Sequence, residues 1–456
     1  MPGKQKEFLT RAEKIAFDKD HRQRIRFNMS KYDTAVAKGK EQYYNLDLAK
    51  DRIASIKKKA IYNLDQYLVQ FEENFTKTGG TVFWAQNSNQ AVNYILDLAK
   101  KNSVKTLVKS KSMITEEVEL NKHLESAGIE SVETDLGEFI VQVAEEKPYH
   151  IVTPAMHKSK QDVADLFHRK FQTSKDASAE DLTLFVRDRL RNIFRNADMG
   201  VTGANFIVAN VGGIALTENE GNAFLSVSFP KIHVVIAGIE KIVPSVKDMG
   251  FIWPVLASHG TGQKITSYNS LIRGPKKDNE QDGPEEMHVI LLDNGRTDLI
   301  KDEELIDSLT CIRCGACLNA CPVYRNIGGY TYDATYSGPI GSVISPHYKG
   351  FADYNHLSFA SSLCGRCSEV CPAKIDLHNM LLVNRRKAVE QGLTKREEKM
   401  VMKNWAKLMT SRSLLNFGSN FKNLGLKTFA KKAWGPRREF PAFPSKSFNK
   451  IWKRGK

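Results

Sequence analysis

Through residues 1–75 apolar positions recur at helical spacing among charged ones, as in Asp47-Leu48-Ala49-Lys50-Asp51-Arg52-Ile53-Ala54 and Ala60-Ile61-Tyr62-Asn63-Leu64. That spacing predicts amphipathic helices. The pattern changes after Gly79. Thr81-Val82-Phe83-Trp84-Ala85 is a short β-prone run, and Ser88 to Lys101 follows with helical period. Thr106-Leu107-Val108 predicts a second strand and Ser112 to Gly128 another helix, while Ser131-Val132-Glu133-Thr134 and His150-Ile151-Val152-Thr153 complete the alternation. Strands alternating with amphipathic helices predict parallel βαβ units. Farther on, Gly203 to Asn210, Val211 to Thr217 and His233 to Gly238 are near-continuous apolar runs, which suit strands buried on both faces. Lys276 to Pro284 reads as a polar loop, and Met287 to Asp293 as a last strand. The expected organisation is a helical segment 1–75, an α/β domain 76–298, a cysteine-bearing module 299–392 and an extension 393–456.

Charge changes the picture at the C-terminal end. Of 67 Lys and Arg against 52 Asp and Glu in 456 residues, 20 and 4 fall in residues 381–456, leaving 47 against 48 elsewhere. The chain is neutral with a basic tail. In that tail Trp405, Leu408, Leu414, Leu415, Phe417, Phe421, Leu424 and Phe429 interleave with Lys403, Lys407, Arg412, Lys422 and Lys427. Three readings stand: docking on an acidic partner or an anionic membrane surface, a nucleic-acid arm, or a basic extension packed on its own domain. The expectation is an acidic partner or membrane surface and no nucleic acid. No stretch reaches the ~18 consecutive apolar residues of a membrane span, and the N-terminal residues lack the apolar core of a secretory signal. The expected location is the cytoplasm.

All seven cysteines lie between positions 311 and 371. An odd, tightly clustered set reads as metal binding rather than disulfide stapling. The first motif is Cys311-x2-Cys314-x2-Cys317-x3-Cys321-Pro322. Three thiolates two residues apart wrap one corner of a cubane, and the fourth reaches the other cluster of a two-cluster ferredoxin. Zinc is the competing occupant, since Cys-x2-Cys also forms knuckles, but this triple spacing closed by Cys-Pro favours iron–sulfur. The second motif, Cys364-x2-Cys367-x3-Cys371-Pro372, aligns with the first from its Cys-Pro end and carries Ser361 where the first has Cys311. Crossing the fourth ligands gives cluster one Cys311, Cys314, Cys317 and Cys371, a complete [4Fe-4S] set. Cluster two keeps Cys321, Cys364 and Cys367, so it is expected as [3Fe-4S] or as [4Fe-4S] with a non-cysteine or open fourth site. Ser361 is either that ligand or a capping residue. Arg313 and Arg366 stand beside the thiolates as tuning charges or as solvated ones. His347 and His356 lie between the motifs and read as packing or surface residues, His356 being the nearer candidate ligand.

The 42 residues between Cys321 and Cys364 resemble the spacing of the α-helical ferredoxin module in iron–sulfur subunits of succinate dehydrogenases and heterodisulfide reductases. With Gly200-Val201-Thr202-Gly203-Ala204-Asn205, Gly212-Gly213-Ile214-Ala215-Leu216-Thr217-Glu218-Asn219-Glu220-Gly221-Asn222, Asp293-Asn294-Gly295-Arg296, the Ser361 gap and Phe440-Pro441-Ala442-Phe443-Pro444, the chain resembles the lactate utilization protein B family over nearly its whole length. The resemblance implies a sugar-phosphate isomerase/CoA-transferase-like α/β domain followed by the ferredoxin-like module. It also implies a role beside lactate utilization proteins A and C, relaying electrons from L-lactate, as it becomes pyruvate, towards the respiratory chain. The competing reading makes the α/β domain itself a hydroxy-acid or acyl-group enzyme. Within Thr217 to Asn222 the readings are a covalent Glu220, a Gly/Asn turn lining an anion site, or a plain turn. Gly212-Gly213 lacks a dinucleotide fingerprint, and His233 and His259 have no evident acid–base partner.

Overall fold

The computed structural model describes residues 3–416, and beyond them 439, 444, 446 and 448–454. Phe417, Phe421, Phe429, Leu424, Lys422, Lys427 and most of the Phe440-to-Pro444 motif lie outside the described residues. The chain divides into two compact units, Met1–Lys387 and Ala388–Lys456.

Four helices open the first unit: α1 (Gly3–Ala16), α2 (Lys19–Lys40), α3 (Leu46–Tyr62) and α4 (Leu64–Thr76). Each start is set locally where a cap exists; the Asn45 side chain, for example, accepts from the Leu48 amide at the head of α3. Along α3 the buried positions Ile53, Ile56, Lys57, Ala60 and Ile61 form one helical stripe. Lys57 belongs to it because its ammonium donates to the Glu240 and Ile242 carbonyls at 2.7 and 3.0 Å. On α4, Phe71 and Phe75 stack at 5.6 Å and are fully buried. Burying each ring is worth about 2–3 kcal/mol.

The strands are β1 (Thr81–Ala85), β2 (Thr106–Lys109), β3 (Glu130–Glu133), β4 (Met199–Gly203), β5 (Phe206–Val208), β6 (Gly213–Glu218), β7 (Ile232–Gly238), β8 (Ile242–Val243), β9 (Tyr268–Ile272) and β10 (Glu286–Leu292). Six of them form a wholly parallel sheet in the order β1-β10-β7-β4-β2-β3. Every residue of β7 is buried, as the uninterrupted apolar run requires of a strand covered on both faces. The alternation of side chains then divides the cores. Val235, Ala237, Val289 and Leu291 join the N-terminal helices and the cysteine segment in one core, whereas Val234, Ile236, Ile290 and Leu292 join α5 (Ser88–Lys101) in the other.

Two expectations need correction and one needs refining. The Gly203-to-Thr217 runs do form buried strands, but beyond Gly203, which ends β4, they leave the parallel sheet: β5 and β6 pair antiparallel within a second, four-stranded sheet, β8-β5-β6-β9. Ser112 to Gly128 is two short helices, α6 (Met113–Glu117) and α7 (Leu120–Ser126), because Glu119 turns left-handed (φ 52°). That break lets Val118 and Leu120 enter the same core. His150 to Thr153 is not a strand. The His150 ring accepts from the Val152 amide at 3.0 Å and faces Asn319 of the cysteine segment at 3.0 Å, so the segment's polar groups are occupied without a ladder.

The cysteine segment follows as a chain of short helices, among them Ala316–Ala320, Gly338–Lys349 and Arg366–Val370. In the second unit, the helix Arg396–Thr410 exposes Met400, Val401, Met402 and Trp405. Among the described residues no helix is long and apolar enough to cross a membrane.

Candidate metal centres beside the parallel sheet

The two cysteine motifs fold as copies of one loop. Arg313 and Leu363 occupy matching left-handed positions (φ 58° and 54°), followed by Gly315 and Gly365 (φ 79° and 76°). Each glycine heads a five-residue helix, Ala316–Ala320 or Arg366–Val370. Glycine suits this site because a β-carbon disfavours positive φ. The repeat extends to the missing ligand. Cys311 Sγ accepts from the Arg313 amide at 3.4 Å, and Ser361 Oγ accepts from the Leu363 amide at 3.1 Å. Serine therefore fills the same slot in the backbone as its cysteine counterpart.

All seven thiols are free. Cys311, Cys314, Cys317 and Cys371 line one small cavity, walled otherwise by Ile312, Ile340, Ile375 and Leu377. Cys321, Cys364 and Cys367 do not border it; Cys321 feels the charge of Cys364, and Cys367 that of Cys321. The first group is the deeper, with Cys314, Cys317 and Cys371 buried and Cys311 half-buried, whereas Cys364 is exposed. Burial pushes the Cys314 and Cys317 thiols well up and Cys371 to about 11. The Arg366 amide leads the groups that pull exposed Cys364 down. Buried thiols held neutral by desolvation become ligands when a metal drives off their protons. Four thiols bordering one small void supply the donor chemistry of a cubane core, although among the described residues no group of three or more Cys, His, Asp or Glu side chains is arranged to hold a single metal ion.

The surroundings sort the remaining candidates. Arg313 is nine-tenths buried, lies over the Tyr336 ring at 4.5 Å and reaches Glu240 at 3.4 Å; its Nε and Nη1 have no hydrogen-bond partner among the described residues. Arg366 is exposed and pairs with Glu369 at 2.6 Å. His347 Nε2 faces Asn384 at 3.1 Å, and His356 packs on Phe8 with Nδ1 on the Asp353 carbonyl at 2.9 Å.

Behind Arg313 lies a buried ionic network absent from the sequence expectations. Arg296 pairs bidentately with Glu117 at 3.0 and 2.9 Å and reaches Glu240. Glu117 also accepts from Asn294 and Tyr336 at 2.7 Å each. Burial pushes Glu240 up, but Arg296, Arg313 and Lys241 more than offset it and bring the carboxyl to about 2. Gly238 must be glycine here, since a β-carbon would meet the Glu240 carboxylate and Arg296 Nε. Arg296 of Asp293-Asn294-Gly295-Arg296, fully buried, was the one clue in the sequence; its carboxylate partners come from two other segments.

In the α/β layers, Glu218 accepts from the Ala223 and Phe224 amides at 2.7 and 2.9 Å, and Glu220 from the Leu136 amide at 3.2 Å. Burial raises both carboxyls. Both residues line a cavity of about 560 Å³ that also borders Lys241, Arg313 and Cys314. Lys241, also missed, has its pKa lowered to about 8 by burial and by Arg313. His233 and His259 do not reach this cavity's wall; burial lowers them to about 3 and about 4 and leaves them neutral core residues.

Residues 68–292 match the model of the LUD domain, and residues 307–375 that of the 4Fe-4S dicluster domain. The chain is 44% identical over 409 residues to lactate utilization protein B of Bacillus cytotoxicus, covering 87% of this chain and 86% of that protein. Lactate utilization protein B of Geobacillus thermodenitrificans is 44% identical over 414 residues, covering 88% and 87% respectively. A crystal structure of a DUF162 family protein from Deinococcus radiodurans covers 50% of this chain and 98% of its own at 12% identity, and its TM-score of 0.28 is too low to inform the fold.

Proposed function

The chain belongs to the lactate utilization protein B family, and from that premise we propose that it is the iron–sulfur electron-transfer component of an L-lactate-oxidising system. The observation that carries the proposal is the sorting of the sulfurs: Cys311, Cys314, Cys317 and Cys371 share one cavity, and Cys321, Cys364 and Cys367 stand apart from it. The first four hold a [4Fe-4S] cluster, with Cys371 crossing over from the second motif. The other three hold the second cluster, whose fourth site is Ser361, another non-cysteine group, or vacant as in a three-iron core. When bound, the clusters supply one-electron centres able to carry, singly, the two electrons released as L-lactate becomes pyruvate and two protons.

The chain's own residues set the path. Exposed Cys364 brings the second centre to the surface, while Ile312, Ile340, Ile375 and Leu377 keep water from the first. Electrons thus have a buried station and a surface station. Partner proteins in this reading are lactate utilization proteins A and C, and the location is the cytoplasm. The basic, apolar helix Arg396–Thr410 supports docking on an acidic partner or an anionic membrane surface.

A second reading, that the α/β domain itself oxidises the hydroxy acid, is favoured by the large cavity bordering Cys314. Anaerobic mixing separates the two. L-Lactate should leave the visible absorbance of the purified chain unchanged until proteins A and C are added; bleaching by lactate alone would make this chain the dehydrogenase.

A further inference from the structure

The ionic network behind Arg313 is unequal in charge. Among the described residues it brings together four cations, Lys57, Lys241, Arg296 and Arg313, and two carboxylates, Glu117 and Glu240. Arg296 takes Glu117 and one oxygen of Glu240, and the other oxygen of Glu240 meets Arg313 at 3.4 Å. Lys57 is fully buried and has carbonyls rather than a carboxylate as partners, those of Glu240 and Ile242 on either side of Lys241. Lys241 itself has neither a hydrogen bond nor a salt bridge among the described residues, and Nε and Nη1 of Arg313 are unpartnered. A desolvated cation without a counter-charge is strongly destabilising.

The surplus of positive charge lies against the first group of sulfurs. The helix α3, which carries Lys57, packs on Ile306–Thr310, the turn that leads into Cys311. Arg313 stands between Cys311 and Cys314 in the chain and borders the cavity of the four sulfurs. Burial lowers Lys57 to about 7 and Lys241 to about 8, while the charge of the Cys311 thiolate acts on both in the opposite sense. Burial opposes charge on Arg313 too, but Cys311, first among several groups, raises it overall. The second loop lacks this arrangement. Leu363 occupies the left-handed position that Arg313 holds in the first, and Arg366 is exposed and paired with Glu369.

We propose that Lys57, Lys241 and Arg313 are the counter-charge of the first centre and hold its reduction potential above the value that burial alone would give. An oxidised four-thiolate cubane is a dianion, and taking up one electron, with no bond made or broken, turns it into a trianion. The apolar walls Ile312, Ile340, Ile375 and Leu377 oppose that added charge. Cations nearby favour it. Arg296 draws on the same Glu240 carboxylate as Arg313, so Glu240 only partly neutralises Arg313. The three cations are positioning residues that bind no iron. The inference rests on the relay reading for the presence of the first centre, and goes beyond it in assigning what sets that centre's potential.

The test is an EPR-monitored redox titration of the anaerobically purified, iron-loaded full chain, the second centre being recognised as the one whose signal changes in Cys364→Ser. Lys57→Met and Arg313→Leu, the latter installing the second loop's own residue, should each lower the first centre's reduction equilibrium constant by at least ~10-fold, which is ~59 mV for one electron. Lys241→Met should shift it in the same direction. Glu240→Gln removes a negative charge from the same network and should shift it upwards, a reversal of sign that damaged packing would not produce. Lys57→Gln keeps a donor for the two carbonyls and serves as a second neutral variant, so the test does not hang on the folding of one protein. Unmoved first-centre potentials in Lys57 and Arg313 variants of normal iron content overturn the proposal. So do shifts of one sign in all the variants, or equal shifts at the second centre. These results leave the relay intact, whereas a wild-type chain that holds no iron removes the relay reading itself.

Discussion

Ser361 and Cys311 hold the same place in two copies of one loop, each accepting the amide two residues ahead. In the two-cluster reading proposed above, the difference between oxygen and sulfur there sets how many thiolates the second centre would receive. Since the backbone already presents the slot, Ser361→Cys should complete a four-thiolate set without refolding the loop. Iron content should rise or hold at eight per chain, on the order of two cubanes, and any three-iron EPR signal of the oxidised wild type should vanish. An unchanged three-iron signal in the variant would show that position 361 does not face the cluster. At this scale the cysteines were legible, because their spacing is itself the chemistry. Lys241 and Glu240 were not. Each is one charged residue among many, and it matters only because Arg296, Arg313 and a buried wall converge on it.

Elements were legible where local signals agree with tertiary need. The Thr81–Ala85 strand and Ser88–Lys101 helix were read to their ends, the helix being capped by Asn87. Ser112 to Gly128 and His150 to Thr153 were misread because distant partners decide them: a left-handed Glu119 that seats two apolar neighbours, and an Asn319 that occupies the His150 ring. A buried link between elements is the Glu117–Arg296–Glu240 network, which ties α6, the helix Arg296–Ile300 after β10 and the segment after β7 to Arg313 and Tyr336. Its pH signature follows from Glu240. The folded carboxyl lies near 2 and the unfolded one near its ordinary 4.5, so the network's contribution is full above about pH 4.5 and is lost as pH falls towards 2. Linkage puts the loss at up to ~3 kcal/mol. Urea titrations between pH 6 and 3 should show that decline, and Glu240→Gln, less stable at pH 6, should show a shallower one. Equal slopes for the two proteins would remove Glu240 from the account.

Across the first unit, the parallel sheet and the cysteine segment share a single apolar core that includes Val235, Leu291, Leu318 and Cys317. The α/β class was legible from strand–helix alternation, whereas the second sheet was not, since β5 and β6 are as apolar as the strands of the first. The shared core explains why the sulfurs of the first group are dry and the large cavity abuts them. It also means that iron should be a structural as well as a redox component, so that removing it with a chelator lowers the thermal midpoint of the whole unit. The most direct measurement is iron, sulfide and zinc analysis of the anaerobically purified chain, followed by EPR during stepwise reduction. The account requires about seven or eight irons per chain in two separately reducible centres, one of them a four-thiolate cubane. A colourless chain, or one carrying stoichiometric zinc and no redox-active centre, would contradict it.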